Sequence, residues 1–255
     1  AAVKPYLADA RVRYVRSDRL GQSRAKNLGL RLGRGTFVAY LDADDAWMPR
    51  KLEKQFAAFR PEVGVVFCGR ELMDELGAAI PRPPAPPPPT GRVLDAMFVQ
   101  NFVCFSSAMV RRSVFDHVGA FDPGLDLAID YDLWLRVARH YEFEYVPEPL
   151  VRYRTGHGNL SQKLADRVAT AFSIMHRHRG AVAPAAVAEG YASTARTMGW
   201  VLRSAEPGTA LRWYARALAW PHRRWDSAKG LAASLLNLVR LKRGTTAAEN
   251  LSVNG

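Results

Sequence analysis

The sequence predicts an α/β protein with a C-terminal helical extension, and three observations carry that prediction. Apolar runs of strand length, FVAYLD (37–42) and VGVVFCG (63–69), alternate with segments whose apolar residues recur at helical spacing. With 255 residues, 48% of them hydrophobic, the chain can bury a sizeable core. From residue 162 onward the pattern is amphipathic helix.

The elements follow in chain order. VRYVRS (12–17) reads as a short strand. Ser23 stands where a cap would start a helix through Ala25, Leu28 and Leu32, closed by Gly33 and Gly35. FVAYLD reads as a strand buried on both faces, as in parallel sheets. Pro49 suits the first turn of a second helix whose Leu52, Phe56 and Phe59 share a face, and VGVVFCG is the next strand. IPRPPAPPPPTG (80–91) can form neither helix nor inner strand; a stiff surface loop accounts for it better than a ligand for a proline-binding module. A helix around VLDAMFVQ (93–100) and a strand at VCFSSAMV (103–110) come next. In FDPGLDLAIDYDLWLRVARH (121–140), Asp130 and Asp132 fall in the first turn of a helix with Leu133, Trp134, Val137 and Tyr141 as its apolar stripe. Arg136, Arg139 and His140 lie toward its other end, so both ends complement the helix dipole.

Composition narrows the compartment and the partners. Cys68 and Cys104 each sit in an apolar run, which favours reduced core thiols and a cytoplasmic setting. Neither end shows a signal peptide, and no apolar run approaches the ~18 residues of a membrane span. The net charge of +12 is unevenly spread: residues 1–160 hold 22 basic against 19 acidic side chains, and residues 161–255 hold 14 against 5. The excess belongs to the tail, and no nucleic-acid motif accompanies it, so no nucleic-acid partner is expected.

LDADD (41–45) crowds Asp42, Asp44 and Asp45 just past an apolar strand. In an open α/β sheet ligands bind beyond the strands' carboxyl ends, and clustered hard oxygens there suit Mg2+ or Mn2+ carrying a diphosphate. Alone, such a pair of aspartates is as well explained by turn and cap preferences. It does not stand alone. From GQSRAKNLGLRLGRGTFVAYLDADDAWMPRKLEKQ (21–55) through SSAMVRRSVFDHVGAFDPGLDLAIDYDLWLRVA (106–138) to VRYRTGHGNLS (151–161), the chain resembles family-2 glycosyltransferases, with several separated motifs in the family's order.

The resemblance implies a GT-A-like (Rossmann-like) mixed sheet flanked by helices over residues 1–161, followed by a basic helical region over 162–255. It implies an inverting glycosyltransferase that moves a sugar from a UDP-, GDP- or dTDP-sugar to a saccharide or lipid-linked acceptor in polysaccharide, lipopolysaccharide or glycolipid assembly. Asp42 and Asp44 match the D-x-D that meets the nucleotide ribose and the divalent metal, and Asp45 the carboxylate that often follows. Asp130 stands at the general base, although Ile129 replaces the acidic residue that usually precedes it. A carboxylate in hydrogen-bond reach of a sugar hydroxyl can take its proton as the new bond forms. His157 aligns with a further metal ligand, and Arg152 or Arg154 could meet phosphate. Lys26 takes the arginine place of an A-R-N pattern and, with Arg24, would favour an anion near a helix N-terminus.

The chain departs from the family at its start. A P-x-Y-N-like strand and a strand ending in D-D-G-S, which hold the nucleotide base in relatives, are not found, and the chain opens on Ala1 rather than Met. The expectation is an N-terminally truncated fold, and the rival functional reading is a non-catalytic remnant that binds carbohydrate or a partner. The tail raises a second choice. Thr209 caps one expected helix with Leu211, Tyr214, Ala215 and Leu218 inward; Leu231, Leu235, Leu238 and Val239 line another. With Trp200, Trp213, Trp220 and Trp225 interleaved, these helices either pack on the sheet domain or lie on an anionic membrane surface at the inner face of the cell membrane.

Overall fold

In the computed structural model, which describes residues 3–18, 20–156, 164–220 and 226–237, six strands form one mixed sheet. They are β1 (Phe37–Ala39), β2 (Ala46–Trp47), β3 (Val63–Met73), β4 (Ala79–Ile80), β5 (Met109–Arg111) and β6 (Glu142–Arg154), in the order β1-β5-β3-β6-β2 with β4 paired to β3. Only β3 and β6 are parallel. The helices are α1 (Gly21–Leu32), α2 (Lys51–Ala57), α3 (Leu94–Val99), α4 (Arg112–Val118), α5 (Ile129–Ala138), α6 (Leu164–His178), α7 (Pro184–Leu202) and α8 (Pro207–Leu218). Residues 226–237 are also helical, and residues 81–90 form the expected extended loop.

β3 is the centre of the fold because its residues are apolar on both faces. Val65 and Phe67 enter a cluster with Val110, Trp134 and Phe143, while Val66 and Cys68 join Val146, Leu150 and Val151 on the other side. The register against β6 slips at Gly69, where a Cβ would come within 2.7 Å of the Glu148 carbonyl oxygen. A side chain has no room there, and the bulge curls the long strand pair so that its far end faces the site. Cys68 and Cys104 are both free and buried, as expected, and burial pushes the Cys68 thiol up to about 11.

Several expectations are corrected. Residues 12–17 are not a strand: Tyr14 and Val15 are exposed, and no neighbouring strand among the described residues offers them a ladder. FVAYLD contributes only the three half-buried residues of β1, antiparallel to β5 at the sheet edge rather than parallel inside it. Ser23 does not cap α1; it lies within the helix and donates to the Leu125 carbonyl at 2.5 Å. VCFSSAMV is mostly a 3-10 turn (Phe105–Ser107) leading into β5. In α2 the buried side carries Lys51 and Gln55, while Leu52 and Phe56 face out, and Pro49 precedes the helix. The reason is polar: Gln55 Nε2 donates to the carbonyls of Val66 and Ser107, both at 2.8 Å, which no apolar side chain could satisfy.

The tail packs on the sheet domain. Ile174, Met175 and Val182 enter the same core as Trp134, so the core runs across residue 161. Gly190 of α7 lies against Phe98 of α3 so closely that a Cβ would stand 2.8 Å from its ring. α8 turns a different face inward from that expected: Pro207, Ala210, Tyr214 and Ala217 are buried and Thr209 is inside the helix. Tyr214 dictates this, since its ring fits against the bare backbones of Gly199 and Gly230. In the last helix Ser227 and Ser234 are buried and Leu235 is exposed; Trp225, Leu238 and Val239 lie outside the described residues. No helix among the described residues is long and apolar enough to cross a membrane.

Candidate active site

The end of β1, the turn before β5, the N-terminus of α5 and the far end of β6 enclose one cavity of about 750 Å³. Asp42, Asp44 and Asp130, 86 or more residues apart across the two segments, line it together with Lys26. The turn after β1 is held open by its neighbours. Ser106 accepts the Asp42 N–H at 3.1 Å, and Arg154 donates its backbone N–H to Asp45 Oδ1 at 3.0 Å and its Nε to the Asp44 carbonyl at 2.9 Å. Burial raises the Asp45 carboxyl above the usual carboxylate range, with Ser106 and the Arg154 amide opposing it. Asp45 is thus an anchor for the turn, while Asp42 and Asp44 face the cavity.

Asp130 sits in the first turn of α5, which starts from Ala128 at φ 52°, the only non-glycine residue with positive φ among the described residues. A left-handed alanine costs roughly 1 kcal/mol, and here the strained turn aims Asp130 at the cavity. Asn101 Nδ2 donates to Asp130 Oδ2 at 2.9 Å, and the Arg167 guanidinium of α6 stands 3.8 Å from Oδ1. The carboxylate is therefore oriented from two sides with one oxygen open to a ligand's hydroxyl.

The other expected residues divide. Lys26 Nζ donates to Asp42 Oδ1 at 3.0 Å and lies 4.4 Å from the Phe105 ring centroid, so it belongs to the site. Arg24 is exposed on α1 and does not line the cavity. Arg154 donates to the carbonyls of Asp44, Asp74 and Glu75, clamps the turn and does not line the cavity. Arg152 likewise donates to the Gly77 carbonyl. His157 lies outside the described residues. Sequence reading missed Arg70, Asn101, Tyr153 and Arg167, all of which line the cavity. Each is a single polar residue at the end of an apolar run or in a helix, with nothing in its spacing to mark it.

For a divalent cation, the donor set offers two hard oxygens on one wall, Asp42 and Asp44. No group of three histidine, cysteine or acidic side chains able to hold a metal occurs among the described residues. That set fits Mg2+ or Mn2+ bound chiefly through phosphate oxygens and water, and does not fit a closed protein cage. A second cavity, about 570 Å³ between residues 10–17 and α1, is lined by Arg11, Arg13 and Arg34 and by no carboxylate.

Residues 1–119 match the profile of glycosyl transferase family 2. Over that stretch, somewhat under half of its length, the chain is similar to that family. An uncharacterized glycosyltransferase of Methanocaldococcus jannaschii is 28% identical to this chain over 150 residues, 57% of the chain and 51% of the relative. An O-antigen biosynthesis protein of Myxococcus xanthus is 29% identical over 171 residues, 61% of the chain but 13% of that larger protein. The chain thus spans about half the length of the first relative and a small part of the second. The fold resembles the mannosyltransferase PcManGT from Pyrobaculum calidifontis, solved with GDP-Man and Mn2+, at a TM-score of 0.50 and 20% identity, covering 93% of this chain and 73% of that one. The chain therefore has the expected GT-A type of mixed sheet flanked by helices.

Proposed function

We propose that this chain is an inverting, metal-assisted glycosyltransferase that moves a sugar from a nucleotide-sugar donor to an acceptor hydroxyl. The observation that carries it is the convergence of Asp42, Asp44 and Asp130 on one cavity from distant parts of the chain. Asp42 and Asp44 would hold Mg2+ or Mn2+ against the donor diphosphate, and the cation would neutralise charge on the departing nucleoside diphosphate. Asp130, oriented by Asn101, accepts the proton of the acceptor hydroxyl as its oxygen bonds to the anomeric carbon and the bond to the diphosphate breaks on the opposite face. One displacement with one base inverts the anomeric centre. Lys26 would exchange Asp42 for phosphate when the donor binds.

The GDP-Man and Mn2+ bound by PcManGT support this donor class, and the Myxococcus relative supports a saccharide acceptor of the cell envelope. The exposed Trp200 and Trp220 and the basic tail would bring the chain to lipid-linked acceptors on an anionic inner membrane face.

Isothermal titration with UDP and GDP, with and without Mn2+, tests the reading. Metal-dependent binding by the wild type that falls at least about tenfold in Asp44→Ala is expected. Well-folded protein that binds neither nucleotide would leave a non-catalytic, carbohydrate- or partner-binding remnant as the better account.

A further inference from the structure

The cations of the cavity are not equivalent. Lys26 is paired with Asp42, and Arg154 beneath the turn is taken up by backbone carbonyls. Arg70 is different: it extends from β3 into the cavity, is exposed, and makes no ion pair among the described residues. Its guanidinium lies 5.2 Å from the Tyr153 ring centroid and also meets the buried Cys104 thiol. Arg167 reaches the same place from α6, and its 3.8 Å approach to Asp130 is too long for a hydrogen bond. Arg70, Arg167 and Tyr153 line the same cavity.

Charge then separates two ends of the cavity. At the LDADD end a diphosphate would arrive with its own cation, so its charge is answered there. Arg70, with no ion pair among the described residues, and Arg167, no nearer than 3.8 Å to Asp130, are the lining cations left to answer a further anion. A planar fork of donors is the usual partner of a phosphate or carboxylate. An anion held there would also fix the orientation of a neighbouring hydroxyl toward the base.

We propose that Arg70 and Arg167, which line the cavity together with Tyr153, form an anion subsite within it. The acceptor accordingly carries a phosphate or a carboxylate close to the hydroxyl that is glycosylated. This assignment rests on the glycosyltransferase reading for its acceptor role; the anion site itself does not.

The test titrates methyl phosphate and methyl glucuronide into the full chain, alone and again with GDP or UDP and Mn2+ present. At least one probe should bind in both conditions, and the better of the two names the acceptor's anion. Arg70→Gln should weaken that probe about tenfold or more while nucleotide affinity stays within about twofold, and Arg167→Gln should act in the same direction. Thermal melts of both variants confirm folding, and Arg70, exposed and without an ion pair, gives the cleaner result. Competition between probe and nucleotide, with nucleotide binding lost in Arg70→Gln, would reassign the arginines to the donor diphosphate and overturn the proposal. So would the absence of probe binding, or binding that Arg70→Gln leaves unchanged. Failure of the glycosyltransferase reading shows in a separate arm, as no nucleotide binding with or without metal, and the probe-only arm still decides the anion site.

Discussion

Asp130 and Asp132 are two residues apart in the first turn of one helix, and the fold gives them opposite fates. Asp130 opens onto the cavity, held by a neutral amide at 2.9 Å and one distant arginine. Asp132 is enclosed: Arg136 Nε donates to Oδ2 at 3.0 Å, and His178 Nε2 lies 2.9 Å from Oδ1. Arg139 donates to His178 Nδ1 at 2.9 Å, which leaves the proton on Nε2 to point at Asp132. Burial works against the Asp132 charge, but His178 and Arg136 outweigh it and hold the carboxyl below the usual range. Residue type and helix turn are the same for both, but two residues apart they point to nearly opposite sides of the helix. What differs is that α6 and the 118–120 turn close over one carboxylate and leave the other facing a cavity.

The comparison breaks first at Asp130. Asp130→Asn should lower sugar transfer by about 10²–10⁴-fold with unfolding essentially unchanged, measured by donor turnover and urea denaturation. Turnover near wild type would mean the open carboxylate is not the base and the contrast with Asp132 is merely one of exposure.

Asp132→Asn should do the reverse and destabilise the fold by about 3–5 kcal/mol, because it breaks a buried charge network and leaves Arg136 without its partner. The carboxyl titrates lower in the folded than in the unfolded chain, so its contribution is complete above the unfolded value of about 4 and fades as pH falls through the folded one. Urea unfolding of wild type and variant should therefore converge in acid; a gap independent of pH would show that packing rather than charge is lost.

Lys51 extends the comparison to a buried cation. It is fully enclosed, 4.2 Å from the Trp47 centroid, with Nζ donating to Gln55 Oε1 at 2.5 Å, and burial lowers its ammonium to about 8. Unlike Asp132, it forms no ion pair with a carboxylate among the described residues, so its charge is a cost rather than a gain. Between about pH 8 and its unfolded value near 10.4 the unfolded chain binds more protons, and stability should rise with pH across that window. In Lys51→Met this rise, about 1–3 kcal/mol, should disappear; an equal rise in the variant would assign it to other groups.

The site was partly legible in the sequence. LDADD, Asp130 and Lys26 carry their chemistry in residue type and in motif order, and the structure brings all three segments to one cavity. Arg154 was legible as a basic residue in the right region but not in its role, because a guanidinium meets a phosphate or a carbonyl with equal ease and only the path of the Asp44 and Glu75 backbone decides which. Arg70 and Arg167 carried no signal, since they reach the cavity through the curl of β3 and the packing of α6.

By itself the sequence determined the alternation of strands and helices, the apolar run that becomes β3, the extended proline loop and the likeness to family-2 glycosyltransferases. All of these depend on local periodicity, on backbone restrictions or on motifs contiguous along the chain. Only the tertiary structure decided that β1 lies antiparallel at an edge, that α2 buries Lys51 and Gln55 in place of Leu52 and Phe56, and that α8 rotates to seat Tyr214 against Gly199 and Gly230. Which face is buried depends on the carbonyls, rings and bare backbones a neighbour presents, and those neighbours are far away in the chain. The two aspartates of α5 follow the same rule: their charge was written locally, and the partners that make one a base and the other a brace came from elsewhere.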